Sequence, residues 1–542
     1  MALFFIFSIV FLYGVTTVQC NPPHIIFIVA DDLGFNDVGF HGSGQIPTPN
    51  IDALAYSGLI LNNYYVNPIC TPSRSALMTG KYPIHTGMQH TVLFGAEPRG
   101  LPLSEKILPQ YLEELGYVNR IVGKWHLGSW KKEYTPLYRG FHSHLGYWTG
   151  HQDYFDHTAM EQGAWGLDMR ANMSVAYDFH GKYSTDLFTQ ESVYLIKKHN
   201  PKDPLFLYLA HAAVHSGNPY NPLPVHDDEV MKIENIDDYK RRRFAAMMSK
   251  LDESVGVIIN ALKANDMLQN SIVVFTTDNG GPAAGFNLNA ASNYPLKGVK
   301  NTLWEGGVRG AGLVWSPLIK KPSRVSTQFM HIVDWLPTLL GAASENSFSE
   351  ELENLDGISI WKSLSHDEPS PRTEVLHNID DIYGNAALTS SNWKLIQGAT
   401  YDGVWDNWYG PSGRNYSYNT SMVQNSLAGK ALKSINMDIS DETIKTLRNK
   451  ATIVCGNSKK NVCSPAKQPC LFNLEEDPCE YQNLANEFPD ILVKLQARLK
   501  EYNSTALPPG NLPIDERGNP KYWNYVFTNF GDYENLPTVV LT

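Results

Sequence analysis

Cys70-Thr71-Pro72-Ser73-Arg74 places a thiol, two hydroxyls and a guanidinium within little more than one helical turn. Asn67-Pro68 precede the string and Gly80 follows Thr79, which predicts a short helix over Pro72 to Thr79. Cys70 then stands at a helix N-terminus, where free amides and the helix dipole favour an anion. Beside an arginine suited to gripping a tetrahedral oxyanion, that is a position for a nucleophile. Without such surroundings a lone cysteine is ordinarily a small core residue. Asp31-Asp32 and Asp278-Asn279 offer only oxygen donors, which suits a hard cation such as Ca²⁺ and disfavours zinc.

The elements that position these residues are legible as short apolar runs alternating with helical patterns. His24 to Ala30, Tyr117 to Val122, Leu205 to Ala210 and Ser271 to Thr277 read as strands. Between them, helices are predicted over Pro49 to Gly58, Ser104 to Leu115, Ser184 to His199 and Asp237 to Asn265. Apolar strands separated by helices imply an α/β fold with a largely parallel sheet covered on both faces. Each strand ends in chemistry: Asp31-Asp32, then Lys124-Trp125-His126, then His211 to His215, then Asp278-Asn279. Ligands of open α/β sheets bind beyond the carboxyl ends of the strands, so four such clusters should converge on one site. One pair alone would read as a helix cap or turn.

The 542-residue chain is 43% hydrophobic and 18% charged, which excludes intrinsic disorder. Its net charge of -11 argues against a nucleic-acid binder, which would carry a basic surplus. Met1 to Cys20 reads as a secretory signal peptide, with Asn21 the first mature residue and no membrane anchor left after cleavage. Sequons at Asn172, Asn415, Asn419 and Asn503 suit an extracellular or lysosomal destination. Six cysteines are too few for a disulfide scaffold. Cys455, Cys463, Cys470 and Cys479 read as two disulfides, for which local pairs Cys455–Cys463 and Cys470–Cys479 are expected because short loops close most easily. Cys70 is left over. After Leu355-Asp356-Gly357 the composition shifts, and Ser365 to Arg372 reads as a linker. The expected domains are a catalytic one over residues 21–368 and a smaller α+β one over 369–542.

The string C-x-P-S-R resembles the signature of type I sulfatases, in which that cysteine is oxidised to formylglycine (3-oxoalanine). A chance match in this length is about one in a thousand. A second sulfatase signature is similar to Gly116-Tyr117-Val118-Asn119-Arg120-Ile121-Val122-Gly123-Lys124-Trp125-His126, with Asn119 departing from the usual Ser or Thr. Family-like segments also occur at Ala30 to Gly34, Thr277 to Gly281, and Lys300 with Glu305-Gly306-Gly307. The resemblance covers Pro22 to about Leu364 and is closest to arylsulfatase B-like members, while the end of the chain matches far less.

The resemblance implies an alkaline-phosphatase-like fold, a large mixed sheet flanked by helices with a smaller C-terminal α+β domain. It implies one Ca²⁺ on Asp31, Asp32, Asp278, Asn279 and position 70, and a formylglycine-generating enzyme as partner during synthesis. The formylglycine hydrate at position 70 would be the nucleophile, held by Arg74 and His126 with Lys124 beside them. His215 would be the leaving-group acid and Lys300 the grip on sulfate. His211 competes with His215, and Lys297 with Lys300. His85, His90, His151, Asp153, Tyr154, Trp304 and the aromatic loop Tyr401 to Tyr418 are weaker candidates for a substrate rim. Few rim cations tilt the expected substrate towards a small aryl sulfate or sulfated glycoside. Relatives act on aryl or steroid sulfates, plant glucosinolates or sulfated N-acetylgalactosamine. The rivals are a phosphatase or phosphodiesterase of the same superfamily and a non-catalytic glycan-binding protein.

Overall fold

In a computed structural model, residues 21–344, 348–456 and 461–535 are described. The signal segment lies outside them. Strands His24–Ala30 (β1), Val118–Lys124 (β2), Leu205–Ala210 (β3) and Ser271–Thr277 (β4) lie in the order β4-β1-β3-β2, all parallel. They form the centre of a ten-stranded sheet that becomes mixed at its margins, where Gly312–Trp315 runs antiparallel to β4. β1 shows why the sheet is buried on both sides. Ile26 and Ile28 face one core beneath helices Ser184–Lys198 and Tyr239–Ala264, while Ile25, Phe27 and Val29 face another beneath helix Cys70–Thr79 (α1).

The helix ends differ modestly from expectation. The predicted helix from Ser104 begins only at Leu108, with Pro109 in its first turn. α1 begins at Cys70 itself rather than at Pro72, because Pro72 is tolerated anywhere in a first turn that lacks intrahelical acceptors. Gly80 closes α1 with φ +67°.

A second, four-stranded antiparallel sheet is built from Glu374–Asp380, Asn385–Ser390, Trp393–Gln397 and Cys470–Asn473, with helix Pro489–Thr505 against it. Between its third and fourth strands the chain returns to the first core. There Val423, Ala431, Leu432, Ile444 and Leu447 are buried with residues of the helices Pro49–Ser57 and Tyr239–Ala264.

The disulfides correct the expected pairing. Cys455 pairs with Cys479 and Cys463 with Cys470, each with Cα atoms 5.9 Å apart, giving nested rather than sequential bridges. Cys470 opens the last strand of the small sheet, which carries it away from Cys479 and brings Cys463 beside it; the turn after Asn473 then returns Cys479 to Cys455. The outer bridge closes the longer loop, 24 residues against 7. Its removal by Cys455→Ala with Cys479→Ala should lower stability by about 2–4 kcal/mol, and more than removal of the inner one. Urea melts of the two double variants compare the losses; an inner-bridge variant that is the less stable would contradict this order.

Candidate active site

The carboxyl ends of the four central strands and the N-terminus of α1 meet at one point. Asp31 and Asp32 directly follow β1, and Asp278 and Asn279 follow β4. Lys124 ends β2, and His126 lies two residues beyond it. β2 approaches β3 so closely that a Cβ at Gly123, where φ is +99°, would lie 1.9 Å from the Ala210 carbonyl oxygen. Asp32 and His126 adopt φ of +63° and +59°, a left-handed conformation that costs a non-glycine residue about 1–3 kcal/mol and concentrates at functional sites.

The side chains form one buried network. Lys124 Nζ lies 2.6 Å from Asp31 Oδ2, and Lys300 Nζ lies 2.7 Å from Asp32 Oδ1. Arg74, one turn after Cys70, donates from Nε and Nη2 to Asp278 Oδ2 at 3.0 and 2.8 Å. The thiol of Cys70 is 3.6 Å from Asp31 Oδ1, and His215 Nε2 is 3.4 Å from Asp32 Oδ2. His215 Nδ1 donates to the Ser216 carbonyl at 2.6 Å, which leaves Nε2 directed at the centre. His126 Nε2 donates to the Leu93 carbonyl at 2.9 Å; its buried Nδ1 has no partner.

Burial alone would raise the Asp31 carboxyl, but Lys124, His215 and Arg74 outweigh it and hold it below the ordinary carboxylate range. Asp32 is lowered in the same way, against burial, by Lys300 and His215. Burial pushes the Cys70 thiol up to about 12, above what Lys124 and Lys300 can offset. That thiol is protonated at neutral pH and is a poor nucleophile as it stands. Burial also lowers His215 and His126 below the usual imidazole value.

Whether these residues fit a divalent cation can be tested on their donors. Ligand atoms of Asp31, Asp32, Cys70 and His215 all lie within 4.8 Å of one another. Asn279 donates from Nδ2 to Asp32 Oδ1 at 2.7 Å, yet its buried Oδ1 has no hydrogen-bond partner. A buried amide oxygen without a donor, beside two ionised carboxylates, fits an oxygen-preferring cation. His215 was not expected in this set, and it stands on the cavity side of Asp32.

A cavity of about 340 Å³ opens over Cys70. Cys70, His126, His215 and Lys300 line its inner end. Of the competing residues, His211 is buried with Nε2 on Ser254 Oγ at 3.0 Å, and Lys297 lies 3.4 Å over the Trp304 ring; neither lines the cavity. His151 does line it, its ring stacked near that of His215 at 5.9 Å. The other expected rim residues do not. His85 and His90 are tied to Asp356 and Asp380, and Tyr154 is buried with its hydroxyl on the Ala212 and His215 carbonyls. Trp304 is core, and the loop from Tyr401 packs its first aromatic rings on Phe286. The outer wall instead comes from Ile69, Val92, Phe94, Met160, Pro219 and Leu288. Loop residues without reactive groups carry no signal that sequence reasoning could have used.

A parallel α/β sheet with acid, base and cation clusters at its strand ends around one buried cysteine defines a hydrolase of anionic esters. The model of the Sulfatase family matches residues 23–345, and the chain belongs to that family: it is a sulfuric ester hydrolase. It is 40% identical over 510 residues to arylsulfatase J of Mus musculus, spanning 93% of this chain and 80% of that one. It is 32% identical to N-acetylgalactosamine-6-sulfatase of Homo sapiens over 372 residues, 64% of this chain and 66% of that protein. Among solved structures, that of Ps i-CgsB in complex with k-i-k-neocarrahexaose matches with a TM-score of 0.68 and 26% identity, covering 92% of this chain and 96% of that one. No helix among the described residues is long and apolar enough to cross a membrane.

Proposed function

We propose that the protein hydrolyses the sulfate ester of a small, otherwise uncharged aryl or glycoside substrate, using position 70 as formylglycine and one Ca²⁺. The observation that carries the substrate class is the cavity: a volume of about 340 Å³ suits a small molecule, and its outer wall is apolar. Its cation Lys300 is committed to the inner end, and its outer wall holds no lysine or arginine. A long polyanion needs basic tracks along its path.

The aldehyde hydrate would supply an oxygen nucleophile for sulfur and a second hydroxyl through which sulfate is released. Asp31, Asp32, Asp278 and Asn279 would hold the cation, which supplies Lewis-acid withdrawal of charge from the sulfuryl oxygens. Lys300 would grip a sulfate oxygen, and Arg74, Lys124 and His126 would fix position 70. His215, its Nδ1–H held by the Ser216 carbonyl, presents Nε2 to the leaving oxygen and would hand it a proton once the anionic substrate beside it has favoured the doubly protonated ring. Conversion of Cys70 requires a formylglycine-generating enzyme in the secretory pathway, and the four sequon asparagines are all exposed, as glycosylation there requires. An extracellular or lysosomal location follows from the same route.

The test is kinetic. For matched aryl esters, sulfate release should exceed phosphate release by orders of magnitude in kcat/KM. A monosulfated aryl ester or glycoside should outperform a sulfated glycosaminoglycan oligosaccharide. Preference for the oligosaccharide, falling steeply with added salt, would overturn the substrate class.

A further inference from the structure

An exposed apolar row lies beside the cavity mouth. Thr158–Glu161 and Ala164–Leu167 form a two-stranded hairpin beside the cavity. Its loop is Gln162-Gly163, with φ of +48° and +78°, the two left-handed residues of a type I′ turn. That tight turn fixes the register, so that Met160 pairs directly with Trp165. Cross-strand partners present their side chains on the same face. On this hairpin that face is the outer one: Met160 is 43% and Trp165 45% exposed, while Ala159 and Glu161 point inwards.

The C-terminal segment extends the same face. Leu167 donates its amide to the Tyr525 carbonyl at 2.7 Å, and Phe527 donates to the Leu167 carbonyl at 3.0 Å. Gly166 permits this approach, since a Cβ there would stand 2.5 Å from the side chain of Pro520. The result brings the Tyr525 ring, on a residue 57% exposed, to 5.9 Å from that of Trp165. Met160, Trp165 and Tyr525 thus form a row that begins in the cavity wall, because Met160 itself lines it.

Apolar residues scattered singly on a surface need no explanation, but a contiguous row leading out of a binding cavity does. Three side chains are far too few for a stable protein interface, which buries on the order of 1,200 Å² or more. They match one ring, since Trp165 is a single cross-strand step, roughly 5 Å, from the rim residue. The row carries no formal charge.

We infer that Met160, Trp165 and Tyr525 form a subsite for an uncharged second ring on the leaving group, stacked by its apolar face on the indole. This deepens the proposed function and rests on the cavity being the sulfate-ester site. Trp165 is here a specificity-determining residue: it lies outside the reacting centre and should act on extended substrates alone.

The experiment uses the purified enzyme and three esters whose phenol leaving groups are matched in acidity: 4-hydroxybenzamide O-sulfate and its N-benzyl and N-glucosyl amides. Wild type should prefer at least one two-ring ester by roughly 2- to 10-fold in kcat/KM, expressed mainly in KM. Which amide gains distinguishes an aryl from a sugar ring. Trp165→Ala should abolish the preference and leave the one-ring ester unchanged, and Trp165→Phe should restore part of it. Tyr194→Ala, at an exposed tyrosine of helix Ser184–Lys198, should change nothing. Equal kcat/KM for one- and two-ring esters, or a preference that survives Trp165→Ala, would overturn the subsite. Failure to hydrolyse the one-ring ester would instead count against the proposed function.

Discussion

Cys70→Ala should cost the enzyme roughly 10⁴- to 10⁶-fold in turnover of an aryl sulfate, the range seen when a catalytic nucleophile is removed. Its fold should persist. The thiol is buried, and its hydrogen-bond partner is Asp31 Oδ1 at 3.6 Å, so truncation removes a single sulfur from an otherwise intact network. Asp31 keeps Lys124 at 2.6 Å, and Arg74 keeps Asp278. A small buried truncation of this kind costs on the order of 1 kcal/mol, a shift of about 1 °C in Tm for a chain of this size. The combination separates chemistry from folding: inactive and nearly as stable is the expected outcome. The wild-type control is chemical. A thiol held near pKa 12 in this site cannot supply a thiolate at neutral pH, so an active preparation should carry another nucleophile. Mass spectrometry of the tryptic peptide ending at Arg74 should find aldehyde or hydrate in place of thiol. A fully active preparation carrying only thiol would sink the mechanism.

Much of the site was legible because its members sit next to local signals. Asp31-Asp32, Lys124, His215 and Asp278-Asn279 each follow an apolar run, and a strand end is where an α/β sheet presents side chains to a ligand. Cys70 and Arg74 were marked by helix punctuation. His211 and His215 compete in the sequence, and the structure brings His215 to Asp32 while His211 contacts Ser254. Three things were not legible, for physical reasons. The disulfide pairing depends on where a strand carries Cys470, and loop-closure entropy between neighbours is too weak to decide it. The placement of helices after residue 419 on the first core depends on long-range apolar packing that periodicity does not address. Much of the cavity wall is loop with apolar side chains; His151 was expected there and lines it, whereas His85, His90 and Tyr154 are instead satisfied by Asp356, Asp380 and backbone carbonyls.

Removal of the metal should have the second largest effect, and it should register in stability as well as in rate. Asp31 and Asp32 are adjacent, fully buried carboxylates, both held ionised by cations packed around them. Lys124 and Lys300 each bond one of them, yet Asn279 Oδ1 is left without a donor. A divalent ion with oxygen preference would satisfy that atom and both carboxylates at once, so binding belongs to the folded state alone. At a hundredfold excess over Kd such a ligand stabilises by about 2.7 kcal/mol. Added Ca²⁺ should therefore raise the Tm of chelator-treated enzyme, and should not do so for Asp32→Ala. Prolonged chelation should lower kcat by roughly 10²-fold or more, since Lewis-acid stabilisation of the transition state is worth several kcal/mol. Ca²⁺ should restore it better than Zn²⁺, which takes nitrogen and sulfur ligands by preference and would find a single imidazole among oxygen donors here. Asp32→Ala has a separate cost: it leaves Lys300 buried without its carboxylate, a situation that typically costs 3–5 kcal/mol. For that reason the diagnostic quantity is the Ca²⁺-induced shift within each protein and not the difference in Tm between them. A Ca²⁺ shift of equal size in Asp32→Ala, or full recovery of activity with Zn²⁺ alone, would remove the ion from this set of ligands.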